Sequence, residues 1–426
     1  MFYQNYPNTL DTTIYYFGYN NISNIPDTFI ITGDIEAMWQ RDSTNQVIPY
    51  IRYIKEDKKL LDLILGLINR QINNVLIDPY ANAFNFKPTG SPWDSDKSTK
   101  LDSQGRQINA MIPELWERKF EIDSLASVLR LQNEFFEQTQ GNDSFMTQDY
   151  FRALQLIYDV LKDQQKGTFQ EDQQGKVHYT FQRFANNPTD STQHGRGNPS
   201  FSDKSGMVKT AFRPSDDACI YAFNIPGNAM LSVQLLKTAD SIKEKNATLS
   251  QKYEQLSKDI KTDIYLRGIT KDNQGNDIFA YEIDGFGNVL KMDDANLPSL
   301  LSLTYLGFIS QNDTLYINTR KMILDSSQNP YFFKGKQGEG IGGPHIGFQY
   351  AWPLSIITRA ITSQNDQEIL YCLEMLKNTT DDTLFMHESF NVNNSTDYTR
   401  TWFAWANSFF GELILHLIDV KPYLVI

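Results

Sequence analysis

Segments with an apolar residue every third or fourth position dominate the chain, and this spacing predicts amphipathic helices. It is clearest in 121–138, where Ile122, Leu125, Leu129 and Phe136 form one stripe, and it recurs in 150–162. Further segments of helical character are 60–77, 228–241, 249–264, 298–307, 318–325, 353–362, 365–377 and 401–420. The pattern therefore predicts a mainly helical chain.

Patterns typical of strands are few. The β-branched run 28–32 predicts one strand, 278–284 alternates toward another, and 8–22 predicts a short helix followed by a turn. The long polar segments 78–107 and 168–209 are predicted to be irregular. About a dozen helical segments with so little strand depart from the average globular composition. Because polar motifs recur between successive helices, we predict an α/α toroid whose loops gather a site at one end.

The stretch 212–218 (Phe-Arg-Pro-Ser-Asp-Asp-Ala) carries the first candidate chemistry. Pro214 fixes its own φ, and Ser215 is predicted to cap a helix that opens with Asp216 and Asp217. Acidic residues also favour an ordinary helix start, so a surface cap is the alternative. The apolar run after it predicts a buried position instead. Lys209, just upstream, is predicted to point outward, away from these carboxyls.

Two further motifs combine acidic, cationic and aromatic residues. The segment 386–390 (Met-His-Glu-Ser-Phe) places Glu388 among apolar neighbours, and 33–42 contains Asp34, Trp39, Arg41 and Asp42. Glycoside hydrolysis requires two carboxyl groups on opposite sides of the scissile bond. A Trp face and an Arg clamp are typical of a sugar pocket. A buried Arg41–Asp42 structural pair is the alternative for the second motif.

Composition narrows the classes of partner and cofactor. The net charge of −12 argues against nucleic acid or an anionic membrane as a partner, and no apolar run approaches the roughly 20 residues of a spanning helix. Aromatic residues make up 13% of the chain, enough to line a sugar site. Two cysteines, Cys219 and Cys372, are predicted to be buried thiols. The five histidines lack metal-site spacing, so neither a metal nor another cofactor is expected.

The motifs 33–42, 212–218 and 386–390 resemble those of glycoside hydrolase family 125, known as metal-independent exo-α-1,6-mannosidases. The resemblance runs from about residue 8 to about residue 413. It implies an (α/α)6 toroid, which agrees with the helical pattern. Since no linker divides the chain, we expect a single catalytic domain over residues 1–426, with a few short strands in its loops.

The resemblance also implies roles for particular residues. The acid is an Asp of 212–218 and the base is Glu388; adjacent Asp216 and Asp217 are not separated by sequence, and we prefer Asp216. The remaining residues expected to contact substrate are Asp34, Trp39, Arg41, Asp42, Trp93, Asp123, Arg213, Asp217, Asp294, Asn296, His345 and Trp402. Asp123 has an alternative role at a helix start. Adjacent acidic residues near Asp294 lack the alternating ligands of a calcium loop, so sugar contact is preferred.

We therefore expect an inverting exo-α-mannosidase that acts on terminal α-1,6-linked mannose of an oligosaccharide or glycan. The alternatives are another inverting α-glycosidase or phosphorylase on the same toroid, and a degenerate sugar-binding protein. No signal peptide precedes Met1, which predicts a cytoplasmic protein if the chain is complete. The family segment usually has a helix ahead of the position of Asn8, and a chain shortened there leaves a secreted or extracellular location open.

Overall fold

The computed structural model describes residues 1–20, 24–175, 177–185, 189 and 205–425. Its helices are α1 (Phe2–Asn5), α2 (Asn8–Thr12), α3 (Gln40–Val47), α4 (Lys58–Ile77), α5 (Ile122–Gln138), α6 (Gln148–Gln164), α7 (Thr168–Gln174), α8 (Ile225–Ile242), α9 (Ala247–Arg267), α10 (Thr314–Ile323), α11 (Pro353–Ile361), α12 (Asp366–Asn378) and α13 (Ala404–Val420). Short 3-10 helices cover Ile48–Tyr53, Leu301–Leu303 and Pro422–Leu424.

The strands are short and pair in small antiparallel sheets of two or three. They are β1 (Ile14–Tyr19), β2 (Pro26–Ile30), β3 (Ala37–Trp39), β4 (Ala83–Asn85), β5 (Lys97–Leu101), β6 (Gln107–Asn109), β7 (Leu115–Glu117), β8 (Tyr179–Gln182), β9 (Phe223–Asn224), β10 (Ile269–Lys271), β11 (Asp277–Phe279), β12 (Glu282–Ile283), β13 (Val289–Leu290), β14 (Phe332–Lys334), β15 (Glu339–Ile341), β16 (Tyr350–Ala351), β17 (Ser389–Asn391) and β18 (Asn394–Thr399).

Six helical segments form a closed inner ring. Around it, α3 packs on α5, α5 on α8, α8 on Leu301–Leu303, that turn on α11, α11 on α13, and α13 again on α3. The segments that follow them in sequence, α4, α6, α9, α10 and α12, form the outer layer, while α1 and α2 cover α13. This arrangement confirms the predicted (α/α)6 toroid. Loops and short sheets connect the helices and build the site.

Helix α4 is long and apolar enough to cross a membrane by length and composition, although sequence analysis found no such run. Half of the tested window is buried inside the structure. Leu63, Ile64, Leu67 and Ile68 lie in the larger hydrophobic core. The apolar face of α4 is therefore covered by protein, as in an amphipathic core helix.

The acidic stretch does not start a helix, which corrects the prediction made from Ser215. Phe212 and Ala218 form an isolated antiparallel bridge, and Asp216 between them has a φ of +75°. A left-handed residue cannot begin an α-helix. The helix starts later, at Ile225, where the Asn224 side chain caps it by accepting from the backbone N–H of Gly227 at 2.8 Å.

Three other expectations were wrong. The short helix predicted within 8–22 is present as α2, but strand β1, which pairs with β2, takes the place of the predicted turn, and residues 21 and 22 lie outside the described residues. Within 298–307 only Leu301–Leu303 is helical, as a short 3-10 turn, and Asp293 accepts from the backbone N–H groups of Leu300 and Leu301 at its start. Lys209 does not point outward: its side chain is fully buried and its Nζ lies 2.8 Å from Glu171 Oε1.

Candidate active site

One pocket of about 430 Å³, including its solvent-filled mouth, collects side chains from both halves of the chain. It is lined by Thr32, Ile35, Trp39, Arg41, Asp42, Pro214, Asp216, Asn296, Trp352, Glu388, Arg400, Phe403 and Trp405. Arg41 and Asp42 lie in α3, Trp405 lies in α13 and Trp39 ends β3. The other lining residues lie on loops, among them the bridge loop 212–218. The toroid thus brings together carboxyls, a guanidinium and aromatic rings that are distant in sequence.

The junction of β3 and α3 supplies one wall. Trp39 ends β3, where it is opposite Ala83 of β4, and α3 begins at the next residue. Arg41 donates to Asp42 at 3.0 Å, to Glu121 at 2.7 Å and to Asp123 at 3.1 Å. Such buried charge pairs hold the Arg41 side chain in one orientation. Burial raises the pKa of Asp42, and the neighbouring guanidinium of Arg41 opposes this effect.

Asp216 projects into the pocket from its left-handed backbone position, and 38% of its side chain is exposed. Lys119 donates to Asp216 Oδ1. Burial alone would raise the pKa of Asp216, but the charges of Lys119, His345 and Arg41 outweigh it and lower the pKa. Because water reaches the carboxyl, the ion pair is weaker than a fully buried one. Non-glycine residues with positive φ are uncommon in proteins as a whole, and those that occur are concentrated at functional sites.

Asp217 points the other way and is fully buried. Its Oδ2 accepts from the backbone N–H of His345 at 3.1 Å and from the Ser215 hydroxyl at 3.3 Å, and that hydroxyl also contacts Asp294. Burial and the neighbouring Asp294 raise the pKa of Asp217 to about 7. Burial likewise raises the pKa of Asp294. This carboxyl pair therefore supports the loop from behind and does not line the pocket.

Glu388 lines the same pocket from the loop that comes just before β17. Its backbone N–H donates to Thr399 O at 3.3 Å, and 10% of its side chain is exposed. Arg400, which follows β18, places its Nε 3.2 Å from Glu388 Oε1 and its Nη1 against Asp34. Arg400 has a φ of +52°, so a second pocket residue adopts the left-handed conformation.

Aromatic rings form the remaining walls. Trp39, Trp352, Phe403 and Trp405 line the pocket, and the ring of Trp405 lies 5.7 Å from the Arg41 guanidinium carbon. Asn296 adds an amide, with its Nδ2 donating to Pro214 O at 3.1 Å. Apolar ring faces beside convergent polar groups are typical of small-molecule pockets, and aromatic rings suit the C–H faces of sugars.

Six of the residues expected from sequence line this pocket: Trp39, Arg41, Asp42, Asp216, Asn296 and Glu388. The other expected residues lie around it. Asp34 is exposed at the rim beside Arg400. Trp402 packs under Gly33, and His345 and Asp294 lie behind Asp216 with Asp217.

Three expected residues do not line the pocket and have structural partners instead. Asp123 is buried against Arg41, as its helix-start alternative allowed. Arg213 is buried with its Nε 2.6 Å from Glu282 Oε1, not paired with Asp217. Trp93 is 44% exposed and stacks on the guanidinium of Arg183, whose carbon is 4.5 Å from the ring centre. Substrate contact by these residues stays a prediction.

Sequence reasoning did not include several lining or supporting residues among the expected site residues. Trp352 and Phe403 sit in apolar segments, where an aromatic residue signals core as readily as site. Arg400 and Trp405 belong to an aromatic and cationic segment that is as compatible with core packing as with a site. Lys119 lacked any local signal, because its contact with Asp216 joins positions 97 residues apart.

Among the described residues, no group of three or more His, Cys, Asp or Glu side chains is arranged to hold a metal ion. The site presents two carboxyls, Asp216 and Glu388, which face one pocket from different loops. Such a pair can donate and accept protons on a substrate held between aromatic walls.

Comparison with known proteins gives a family match over nearly the whole chain. A family model described as metal-independent α-mannosidase (GH125) matches residues 1–415. The Meiotically up-regulated gene 157 protein of Schizosaccharomyces pombe is 42% identical, and the match covers 98% of this chain and 82% of that protein.

Solved structures agree with this match. A Streptococcus pneumoniae structure, described as a metal-independent α-mannosidase in a non-productive complex with α-1,6-mannobiose, is 35% identical. It superposes with a TM-score of 0.88 and covers 99% of this chain and 93% of its own. A bacterial glucoamylase bound to acarbose is 13% identical with a TM-score of 0.54, covering 90% of this chain and 49% of its own. The glucoamylase shares the fold alone.

Proposed function

Because the chain belongs to the metal-independent α-mannosidases of family GH125, we propose that this α-mannosidase removes terminal non-reducing α-1,6-linked mannose, with inversion, using Asp216 as general acid and Glu388 as general base. The observation that carries the proposal is the meeting of Asp216 and Glu388 in one aromatic-walled pocket. Inverting hydrolysis needs one carboxyl to protonate the leaving oxygen and another to activate water on the opposite face.

Accessibility supports Asp216 over Asp217 as the acid. The Asp216 side chain is 38% exposed and lines the pocket, whereas Asp217 is fully buried behind it. A general acid must come within hydrogen-bonding distance of the leaving oxygen, which favours the accessible carboxyl. The pKa of about 7 at Asp217 is the feature that favours the alternative, since a raised pKa keeps a carboxyl protonated.

Arg400 supports the role of Glu388. The Arg400 Nε lies 3.2 Å from Glu388 Oε1, and this contact holds the carboxyl in the orientation that a general base needs toward its water. The same arginine also pairs with Asp34 at the pocket rim, so Arg400 connects the proposed base to the rim. The hydroxyl groups of the sugar are then bound by the remaining polar side chains of the pocket, Arg41, Asp42 and Asn296.

The preference for α-1,6-linked mannose rests on the relatives. The Streptococcus pneumoniae structure carries α-1,6-mannobiose and is described in terms of N-linked glycan processing. Its 35% identity over 99% of this chain supports the same substrate class, a mannose-containing oligosaccharide.

The first test is amide replacement of each carboxyl. We expect Asp216→Asn and Glu388→Gln each to lower kcat on α-1,6-mannobiose by about 10²- to 10⁴-fold, because the amide keeps the shape without the acid–base function. Circular dichroism and thermal unfolding establish that both variants fold. An inactive Asp217→Asn beside a nearly normal Asp216→Asn would reassign the acid, and a fully active Glu388→Gln would refute the site.

Two further measurements test the mechanism. Proton NMR of the first-formed mannose should show the β-anomer, as inversion requires; an initial α-anomer would indicate a covalent intermediate. Dialysis against a chelator should leave the rate unchanged, whereas a loss restored by Ca²⁺ would contradict metal-independent chemistry.

A further inference from the structure

A buried lysine lies directly behind the carboxyl proposed as general acid. Lys119 follows β7, and only 2% of its side chain is exposed. Its Nζ contacts Asp216 Oδ1 and lies 3.2 Å from Glu121 Oε1 and 3.9 Å from Glu117 Oε2. The ammonium also lies 5.0 Å from the centre of the Phe212 ring, at the base of the bridge loop. Lys119 therefore joins the acid loop to the wall formed by β7 and the start of α5.

This lysine belongs to a larger charge network. Arg41 pairs with Asp42, Glu121 and Asp123, while Arg183 pairs with Asp96 and Glu117. The groups that influence the charge of Lys119 or Asp216 are Arg41, Asp42, Glu117, Glu121, Asp123, Arg183 and His345. Lys119 contacts Asp216 Oδ1 directly, and the charges of His345 and Arg41 act on Asp216 as well.

The backbone conformation of Asp216 depends on contacts such as the ion pair with Lys119. Its φ of +75° is a conformation that non-glycine residues rarely adopt, so surrounding contacts must hold it. The backbone N–H of Asp216 donates to Arg213 O at 3.0 Å, and the ion pair with Lys119 fixes the side chain. A side chain anchored by a buried partner keeps its carboxyl within the narrow range of positions that proton transfer requires.

We infer that Lys119 is the positioning residue of the general acid: its ammonium holds the Asp216 carboxyl at the pocket wall and sets the pH at which that carboxyl exchanges its proton. The inference rests on the function proposed above, in which Asp216 is the acid. It assigns Lys119 no contact with substrate. The role differs from a merely structural one because it predicts a change in the pH profile.

Electrostatics support this role. An opposite charge within about 4–6 Å lowers the pKa of a carboxyl by about 1 to 3 pH units. Burial raises the pKa of Asp216, yet Lys119, the strongest of the opposing charges, helps bring it below its usual value. Burial would lower the pKa of Lys119, but Asp216, Glu117 and Glu121 raise it, so the lysine stays charged. Burial raises the pKa of Glu121 to about 8, which leaves Asp216 as the better anionic partner.

The experiment compares pH profiles of kcat/KM on α-1,6-mannobiose, which report the ionisations of the free enzyme. The profile of kcat/KM against pH has two limbs, one on its acidic side and one on its alkaline side. Lys119→Gln removes the positive charge beside Asp216, so the limb set by Asp216 should move to higher pH by about 1 unit or more while the other limb stays in place. Lys119→Arg keeps the charge and should leave both limbs in place. Lys209→Gln is the matched control: this lysine is equally buried beside one glutamate, Glu171, and its loss should not move either limb.

Glu117→Gln keeps the inference testable if Lys119→Gln fails to fold. Removing a carboxylate from beside Lys119 strengthens the cation's effect on Asp216, so the same limb should move to lower pH. Limbs that coincide with wild type in every folded variant would overturn the inference. That failure is distinct from failure of the proposed function, since it would occur with Asp216→Asn still inactive; an active Asp216→Asn would refute the acid assignment itself.

Discussion

Asp217 is a residue whose protonation the fold changes, next to the loop that carries the proposed acid. It is fully buried beside a second carboxyl, Asp294, and both contact the hydroxyl of Ser215. Burial, followed by repulsion from Asp294, raises the pKa of Asp217 to about 7, against the lowering effect of Arg213. A buried pair of carboxyls avoids carrying two charges by retaining a proton. The support behind the acid loop is therefore sensitive to pH.

The sign of this effect predicts how stability depends on pH. An unfolded Asp titrates near 3.9, so between about pH 4 and 7 the folded chain binds more protons at Asp217 than the unfolded chain. The stability from this group is complete below about pH 4 and is lost as pH rises through 7. Asp217→Asn stays neutral, so urea unfolding should show its free energy of unfolding rising relative to wild type across that interval, then levelling off.

Asp102 provides a control of opposite sign. It is half-buried, and hydrogen bonds from the backbone and side chain of Arg106 lower its pKa. Its contribution is present above the unfolded pKa and is lost as pH falls, so Asp102→Asn should cost stability at neutral pH and little at low pH. A constant difference between wild type and Asp217→Asn at every pH would show that Asp217 does not change protonation on folding.

At the scale of elements, the loop between β2 and β3 meets the segment that follows β18 at the pocket rim. Gly33 has a φ of +131°, and a Cβ added there would lie 2.9 Å from two ring carbons of Trp402. Asp34 and Arg400 pair at the same junction. Glycine is required both by the backbone conformation and by the close approach of the indole. The junction thus couples the position of Trp402 to the loop that carries Asp34.

Gly33→Ala should therefore affect substrate binding as well as stability. The strained conformation costs on the order of 1–3 kcal/mol, and displacement of Trp402 should disturb its neighbours Arg400 and Phe403 and raise KM. Gly105→Ala is the matched control, since Gly105 also has a positive φ, +75°, but no atom within 4 Å of its added Cβ. The melting temperature measured by thermal unfolding should fall for both variants, while KM on α-1,6-mannobiose should rise only for Gly33→Ala. Equal KM values would contradict the coupling.

Local patterns predicted most helices within a few residues because their apolar stripes face the core. The stripe of 121–138 became α5 and the run 60–77 became α4. The loop 212–218 was mispredicted because its φ of +75° at Asp216 depends on contacts with Lys119 and the bridge partner Ala218, which no local spacing contains. For the same reason the motif around Asp216 was found, whereas the lysine that holds it was not.

At the scale of the whole molecule, the N-terminal helices α1 and α2 pack on α13 and form a seam between the two ends of the described chain. Thr9 and Ser408 share a hydrogen bond of 2.7 Å, and Asn407 Nδ2 donates to Asn8 Oδ1 at 3.0 Å. The backbone N–H of Met386 donates to both Asn407 Oδ1, at 2.9 Å, and Asn5 Oδ1, at 3.1 Å. Met386 lies two residues before Glu388. The seam therefore supports the motif of the proposed base.

Asn407→Ala should weaken that support. The substitution leaves Asn5 as the remaining acceptor for the buried N–H of Met386 and removes a buried hydrogen bond to Asn8. The free energy of unfolding should fall by about 1–3 kcal/mol. Because the Glu388 loop is attached there, kcat should fall beyond what the folded fraction explains. Activity normalised to folded protein, measured well below the melting temperature, separates the two effects; unchanged normalised kcat would show that the seam does not position Glu388.

Gly411→Ala tests the packing of the same seam without touching a polar group. In most exposed helix interiors this substitution stabilises by up to about 1 kcal/mol, because alanine favours the helix. Here the added Cβ would lie 2.4 Å from Tyr6 Cδ2, and the ring of Tyr6 also packs against Tyr50. Overpacking of this kind costs about 1–3 kcal/mol, so urea unfolding should show a net loss of stability with an unchanged m-value. If Gly411→Ala were as stable as wild type, Tyr6 would have to move aside at little cost, and the N-terminal helices would not be tightly packed on α13.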